Sequence, residues 1–217
     1  MKECSNRHNG VVVRIGVVAD THCPEFLDEL PSRLLQRLHG VDLIIHAGDV
    51  GGEATLARLR TIAPVEAVRG DHDRHLPHLP PGRELSVEGR TIAVVHGNRS
   101  RLIEEPVTLL GTLSLGRAWP DAGIQGWLCR RFPEADVIVY GHTHRARVQV
   151  VGGKLLFNPG AVYMVDGAEA RRRLDRGPNW FEWCWLQVIR HRRDRPVPSF
   201  GLLEIGDRVR ARVYPLR

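Results

Sequence analysis

Four cysteines, Cys4, Cys23, Cys129 and Cys184, occur in the 217 residues, and no two of them have C-x-x-C spacing. That scatter excludes a disulfide framework and a zinc knuckle. No apolar run approaches the roughly 20 residues that span a bilayer. The N-terminal MKECSNRHNG is polar, and the strand-like VVVRIGVVA after it is broken by Arg14. The pattern predicts no signal peptide, no membrane anchor or membrane partner, and a reducing cytoplasmic location. There is no strand–GxxxxGK–helix phosphate loop and no G-x-S-x-G nucleophile elbow, and Gly152-Gly153-Lys154 reads as a hairpin turn. Internal repeats and low-complexity tracts are missing too. What is present, 42% hydrophobic and 26% charged residues, suits a folded chain with a substantial core, predicted as one domain over 1–217.

The first half alternates strand and helix. Val11 to Ala19 is a near-continuous apolar run suited to a strand covered on both faces, and it ends at Asp20. Phe26, Leu27, Leu30, Leu34, Leu35 and Leu38 follow with helical spacing, Gly40 being a plausible stop. Val41 to His46 repeats the strand pattern, Thr55 to Ile62 reads as a helix, and Ala63 to Val68 as a third strand. Hairpins are predicted around Glu88-Gly89, Gly152-Gly153 and Gly206-Asp207. Residues 98–135 are poorly periodic apart from one helix near Ile124 to Phe132, and Val137 to Tyr140 is a further strand. Such alternation followed by hairpins implies an α/β layered domain with one mixed sheet or two, covered by helices.

Five predicted strand ends carry metal-type residues: Asp20-Thr21-His22, Gly48-Asp49, Gly70-Asp71-His72-Asp73, His96-Gly97 and Gly141-His142-Thr143-His144. One such end is ordinary turn chemistry. Five at the same end of their strands point to a site, because ligands of α/β folds collect beyond the carboxyl ends of strands. If D-x-H and H-x-H are extended, the two side chains of each point the same way and can grip one ion. Mixed carboxylate and imidazole donors suit zinc, manganese, iron or nickel, whereas magnesium and calcium favour an all-oxygen shell. Seven candidate ligands, Asp20, His22, Asp49, Asp71, His96, His142 and His144, exceed the need of one ion and imply two that share a carboxylate. Cys23 is expected to be a small packed residue and His46 a core or supporting group. Asp73 is expected to hold its turn, with orienting His72 as the alternative, and His75 and His78 to lie in the surface loop HLPHLPPG.

In this order the motifs D-x-H, G-D, G-D-H-D, H-G and G-H-x-H resemble the calcineurin-like metallophosphoesterases. The compact length and Asn158-Pro159-Gly160 resemble the small bacterial and archaeal phosphodiesterases of that superfamily. The resemblance implies a four-layer α/β/β/α sandwich of two mixed sheets flanked by helices. It implies that Asp20, His22, Asp49 and His144 bind one ion, and that Asp49 bridges to a second completed by Asp71, His96 and His142. Manganese leads as the metal, with iron, zinc or nickel as alternatives. A hydroxide held between the ions would attack a phosphodiester, and also monoesters, with His72 as general acid. The family motif has Asn where this chain has Asp71, which adds a negative charge expected to tighten divalent metals and weaken phosphate binding, or to favour a more highly charged ion.

The chain also departs from its relatives by an Arg/Trp-rich insertion at about 165–197. Eight arginines between Glu169 and Arg195 face four carboxylates, and Trp180, Trp183 and Trp185 fall within six residues of one another. The segment suits base stacking with phosphate contacts, a homo-oligomer interface, or a flap whose tryptophans cover the domain's own sheet. The leading expectation is a two-metal hydrolase acting on phosphodiesters, nucleotides among them. The alternatives are a binding or scaffold protein on the same fold and a metal-dependent nuclease, the latter resting only on the insertion.

Overall fold

The computed structural model describes residues 12–114, 123–191 and 197–216. Its strands form two five-stranded mixed sheets. The first, sheet A, has the order β10-β9-β1-β2-β3, built from β1 (Val13–Val18), β2 (Leu43–His46), β3 (Val65–Ala67), β9 (Ser199–Ile205) and β10 (Arg210–Pro215). Sheet B, in the order β4-β5-β6-β8-β7, uses β4 (Gly82–Val87), β5 (Arg90–Val95), β6 (Val137–Tyr140), β7 (Arg147–Val151) and β8 (Lys154–Asn158). Strands β1, β2 and β3 run parallel in the first sheet, as do β5, β6 and β8 in the second. The remaining strands pair antiparallel at the edges.

The period-two alternation of each strand decides the layers. Ile15 and Val17 of β1 point into a core shared with Ile92 and Val94 of β5, Val137 and Val139 of β6, and Phe157 of β8. The alternate residue Val18 points outward, to a second cluster with Leu34 and Leu38 of α1 (Ser32–Leu38). Leu56 of α2 (Glu53–Arg60) packs with Val50 and Ala67 on the same side. On the far face of sheet B, Ala93, Ile138 and Leu156 pack against Ile124 and Leu128 of α4 (Ile124–Arg131). The result is helix, sheet, sheet, helix, the four-layer sandwich expected. Each fully buried Ile, Val or Leu contributes about 1.5–3 kcal/mol, so this double-faced packing dominates the stabilising side of the balance.

Two elements differ from the sequence reading. The first helix begins at Ser32 rather than near Phe26, because Pro31 at its N-cap biases Leu30 away from helical backbone. Residues 98–135 contain an additional helix, α3 (Arg101–Leu113), whose interior Pro106 and Gly111 mask it in the sequence. The insertion folds as α5 (Gly167–Asp175) and α6 (Trp180–His191), which pack on each other, and α6 also touches α3. Trp180 and Trp183 are exposed and stacked on one another, 5.7 Å between ring centroids. The expectation that they cover the sheet is therefore wrong for these two; among the described side chains of the hairpin, Ala170, Leu186 and Val188 are the buried ones instead. The side chain of Trp185, residues 192–196 with Arg192, Arg193 and Arg195, and Cys4 lie outside the described residues. Among the described residues no helix is long and apolar enough to cross a membrane.

Candidate metal centre

The parallel strands of both sheets deliver their carboxyl ends to one place. Asp20 and His22 follow β1, Asp49 follows β2, and Asp71 and His72 follow β3; His96 follows β5, and His142 and His144 follow β6. All seven candidate ligands meet there. Asp20, His22 and His144 offer atoms within 4.8 Å of one another, and Asp71, His96 and His142 do the same. Asp49 lies between the two groups, its Oδ2 3.5 Å from His22 Nε2 and 3.3 Å from His96 Nε2. Across the site, His144 Nε2 is 3.4 Å from Asp20 Oδ1 and His142 Nδ1 is 3.5 Å from Asp71 Oδ1.

The local backbone is not the extended one that the D-x-H and H-x-H spacing suggested. Asp20, His22, Asp49, His142 and His144 all have positive φ, between 46° and 64°. Side chains therefore converge through left-handed turns and not through strand alternation. Left-handed backbone costs a non-glycine residue about 1–3 kcal/mol, and it persists only where the surroundings over-determine it. The surroundings here are tight. Asp73, fully buried, accepts from the backbone N–H groups of Val50 (3.1 Å), Gly51 (3.0 Å) and Gly70 (2.9 Å), which locks the β2 and β3 turns together. This is the turn-holding role expected of it. A Cβ on Gly70 would stand 2.1 Å from Asp49 Oδ1, and one on Gly48 2.6 Å from His96 Nδ1, so only glycine lets these turns approach the carboxylate and the ring. On the other sheet, Asn158 Nδ2 donates to Gly141 O at 2.8 Å and to Thr143 Oγ1 at 3.1 Å, bracing the His142–His144 turn.

Orientation is fixed from behind. His96 Nδ1–H donates to Ala47 O at 2.9 Å, which leaves Nε2 unprotonated in the neutral ring and facing the site. That Nε2 is buried without a hydrogen-bond partner, although Asp71 Oδ1 is 3.0 Å away and Asp49 Oδ2 3.3 Å. Asp20 Oδ2 is likewise buried and unpaired. Atoms that crowd one point without donor–acceptor alignment are arranged as ligands are around an ion, so the donor set fits a bound metal. Electrostatics agree. Burial alone would raise the Asp49, Asp71 and Asp20 carboxyls, yet the imidazoles beside them pull all three below the ordinary carboxylate range. Burial disfavours a charged His96, but Asp49 and Asp71 outweigh it and push its pKa well above the ordinary value. The protein thus gathers negative charge that needs a cation, a proton or a metal, to balance it.

Other expected residues fall as follows. His46 is buried in β2, with Nε2 3.0 Å from Thr21 Oγ1, and Thr21 in turn donates to Val50 O at 2.7 Å; the ring supports the Asp20–His22 turn and is not a ligand. Cys23 is buried in the outer core. His75 does more than cap a surface loop, since its Nε2 donates to Gly51 O at 2.9 Å, while exposed His78 pairs with Glu53 at 3.2 Å. His72 stands at the rim, its N–H donating to Asp49 Oδ1 at 3.0 Å. Four residues near the site were not placed there by the sequence. Glu25 contacts both His22 and His72. Phe26 and Tyr163 stack at 5.2 Å beside His22, and Arg173 of α5 caps them, 4.6 Å over Phe26 with Nη2 donating to Tyr163 Oη at 2.6 Å. The insertion is therefore anchored at the edge of the site.

Comparisons with known proteins agree on family and fold. The model of the calcineurin-like phosphoesterase superfamily domain matches residues 13–172. A probable metallophosphoesterase of Methanothermobacter thermautotrophicus is 34% identical over 149 residues, 68% of this chain and 76% of that protein. Another, from Methanocaldococcus jannaschii, is 32% identical over 152 residues, 70% and 69% of the two chains. Among solved structures, Vacuolar Protein Sorting 29 from Cryptosporidium parvum superposes with a TM-score of 0.65 at 24% identity, covering 95% of this chain and 92% of that one. Wild-type Vps29 of Entamoeba histolytica, in complex with Zn2+, gives 0.59 at 22% identity, covering 94% and 100%. At these identities the solved structures speak for the fold alone.

Proposed function

The chain belongs to the calcineurin-like phosphoesterase superfamily, and we propose that it is a dinuclear metal-dependent hydrolase of phosphodiesters, nucleotides among them, working in the cytoplasm. The observation that carries this reading is Asp49 Oδ2, one carboxylate oxygen set between His22 Nε2 and His96 Nε2. Asp20, His22 and His144 would hold one ion, Asp71, His96 and His142 the other, with Asp49 shared. When bound, two divalent ions, manganese foremost, supply Lewis acidity to the phosphoryl oxygens and lower the pKa of a water. The chain's own residues do the rest. His96 is oriented by Ala47 O, and Asp73 and Asn158 hold the two sets of turns so that the site needs little reorganisation during reaction. His72, half-exposed at the rim, is placed to donate a proton to the departing alkoxide as the P–O bond breaks, a contribution of about 10²–10⁴-fold.

Asp71 makes the second group more anionic than an asparagine would. Asp71→Asn is expected to weaken divalent-metal affinity by about tenfold while leaving the fold intact, since the side chain is partly exposed. Titration of metal-stripped protein with manganese measures this; equal affinities would remove Asp71 from the ligand set.

The direct test is hydrolysis of an aryl phosphodiester, with the corresponding monoester alongside, by metal-stripped protein after manganese is restored, with Asp49→Ala as control. Turnover restored by manganese and lost by about 10³-fold in the control supports the dinuclear hydrolase. Bound metal without turnover above the control favours a binding protein, the second reading that the likeness to Vps29 folds keeps in play.

A further inference from the structure

Glu25 is not among the seven candidate ligands, yet its two carboxylate oxygens reach the rings of both a candidate ligand and the candidate acid. Its Oε2 lies 3.4 Å from His22 Nδ1 and its Oε1 3.4 Å from His72 Nδ1. The two imidazoles, 50 positions apart in the chain, stand edge to face with centroids 4.8 Å apart and an interplanar angle of 88°. Glu25 is held under them by a turn closed on His22 itself, since the N–H groups of Phe26 and Leu27 donate to His22 O at 2.7 and 3.3 Å. Phe26, next in sequence, packs 5.2 Å from His22 and 6.2 Å from His72 and is pinned by Arg173, so the turn is also braced from outside.

The geometry points to Glu25 as a positioning residue that sets the tautomer of two histidines at once. A carboxylate accepts and cannot donate, so each ring that faces it must carry its hydrogen on Nδ1. For His22 this leaves Nε2, the nitrogen 3.5 Å from Asp49 Oδ2, unprotonated and ready to bind metal. A ligating imidazole oriented by a carboxylate behind it is a common arrangement, and loss of such a partner costs 10–100-fold in affinity or activity. For His72 the same bond leaves Nε2 as the nitrogen for the substrate side. With a proton taken up there from solvent, the imidazolium keeps its Nδ1–H on Glu25, gives the Nε2 proton to the leaving oxygen as the P–O bond breaks, and returns to the Nδ1–H tautomer. One side chain thereby ties metal placement to proton delivery. The second half of this inference rests on the phosphoesterase reading; the first half, the tautomers, stands without it.

Glu25→Gln is the informative variant, because an amide of the same shape puts an NH2 donor in place of one of the two oxygens, and that group cannot accept from the ring it faces. In metal-free wild-type protein, imidazole ¹⁵N shifts should show both His22 and His72 as Nδ1–H tautomers. In Glu25→Gln at least one ring should change to a mixture, with the thermal unfolding midpoint essentially unchanged. Manganese affinity should fall about 10–100-fold. At saturating manganese, kcat should fall by more on a diester with an alkyl leaving group than on one with a nitrophenyl group, because only the poor leaving group needs the proton. In a His72→Ala background, the leaving-group-dependent part of the Glu25→Gln effect should vanish. Unchanged ring signals in Glu25→Gln would overturn the proposal, as would additive effects of Glu25→Gln and His72→Ala on the alkyl ester. Wild-type protein that turns over no phosphoester would refute the proposed function instead, while the ring signals still decide the role of Glu25.

Discussion

The turns at the strand ends and the α5–α6 hairpin sit side by side and follow opposite rules. In the turns, five candidate ligands accept left-handed backbone, and buried polar atoms are left without hydrogen bonds. In the hairpin, the first helix obeys local preferences. Asp166 caps α5 by accepting from the N–H groups of Ala168 and Glu169, both at 2.8 Å, and Glu169 pairs with Arg172 and Arg173 one turn on. The hairpin spends its irregularity on its surface, where Trp180 and Trp183 face outward. Free energy given up in backbone conformation marks where geometry is selected for chemistry; elements that keep every local rule are under no such demand.

Three perturbations sharpen this contrast. The largest effect is expected at Gly70, where a methyl group meets Asp49 Oδ1 at 2.1 Å and Asp49 N at 2.4 Å. Gly70→Ala must displace the central carboxylate, and a drop of two or more orders of magnitude in manganese affinity is expected, about 3 kcal/mol or more. Calorimetric titration measures it, and an unchanged affinity would show that the turn has slack that the contacts deny.

The second concerns His46. Burial holds its pKa down to about 4, against 6.5 for a free imidazole. A depressed histidine is neutral in the folded state, and the unfolded chain takes up the proton first as pH falls. Its contribution is therefore fully present above pH 6.5 and lost between 6.5 and about 4, with a ceiling of about 3 kcal/mol. Urea unfolding at several pH values across that window should show a steeper decline for wild-type protein than for His46→Gln. The smallest effects belong to the hairpin. Asp166→Ala should cost about 1 kcal/mol through the lost cap, and Trp180→Ala no more than about 0.5 kcal/mol. Denaturant midpoints measure both; a large loss at Trp180 would show that its exposed ring is covered in solution.

The sequence exposed the site far better than its surroundings. Asp20, His22, Asp49, Asp71, His96, His142 and His144 could be read because each closes an apolar run, and short parallel strands buried on both faces announce their own ends. The layers followed from the same runs. What stayed hidden was whatever depends on contact between distant segments. Glu25 pairs with His72, 47 residues away, and Arg173 finds Phe26 only because α5 returns to the first loop. Helix α3 was obscured by Pro106 and Gly111, and its apolar residues Leu102, Leu109 and Leu113 do not reveal it through burial either, since they face solvent. The left-handed turns were misread as extended because spacing alone cannot distinguish two residues on one face of a strand from two residues in a turn.

The two sheets contribute unequally to the centre: Asp20, His22, Asp49 and Asp71 leave one, His96, His142 and His144 the other. The approaches of His96 to Asp49 and Asp71, of His142 to Asp71 and of His144 to Asp20 all cross the boundary between them. Elsewhere that boundary is closed by the apolar residues of the shared core, which hold by area and not by direction. An ion bound at this end would act as a rivet through both plates. Chelation would then free the sheets to slide at one end while the greasy middle still grips, and the groups that do the chemistry would also set how the halves of the sandwich come apart.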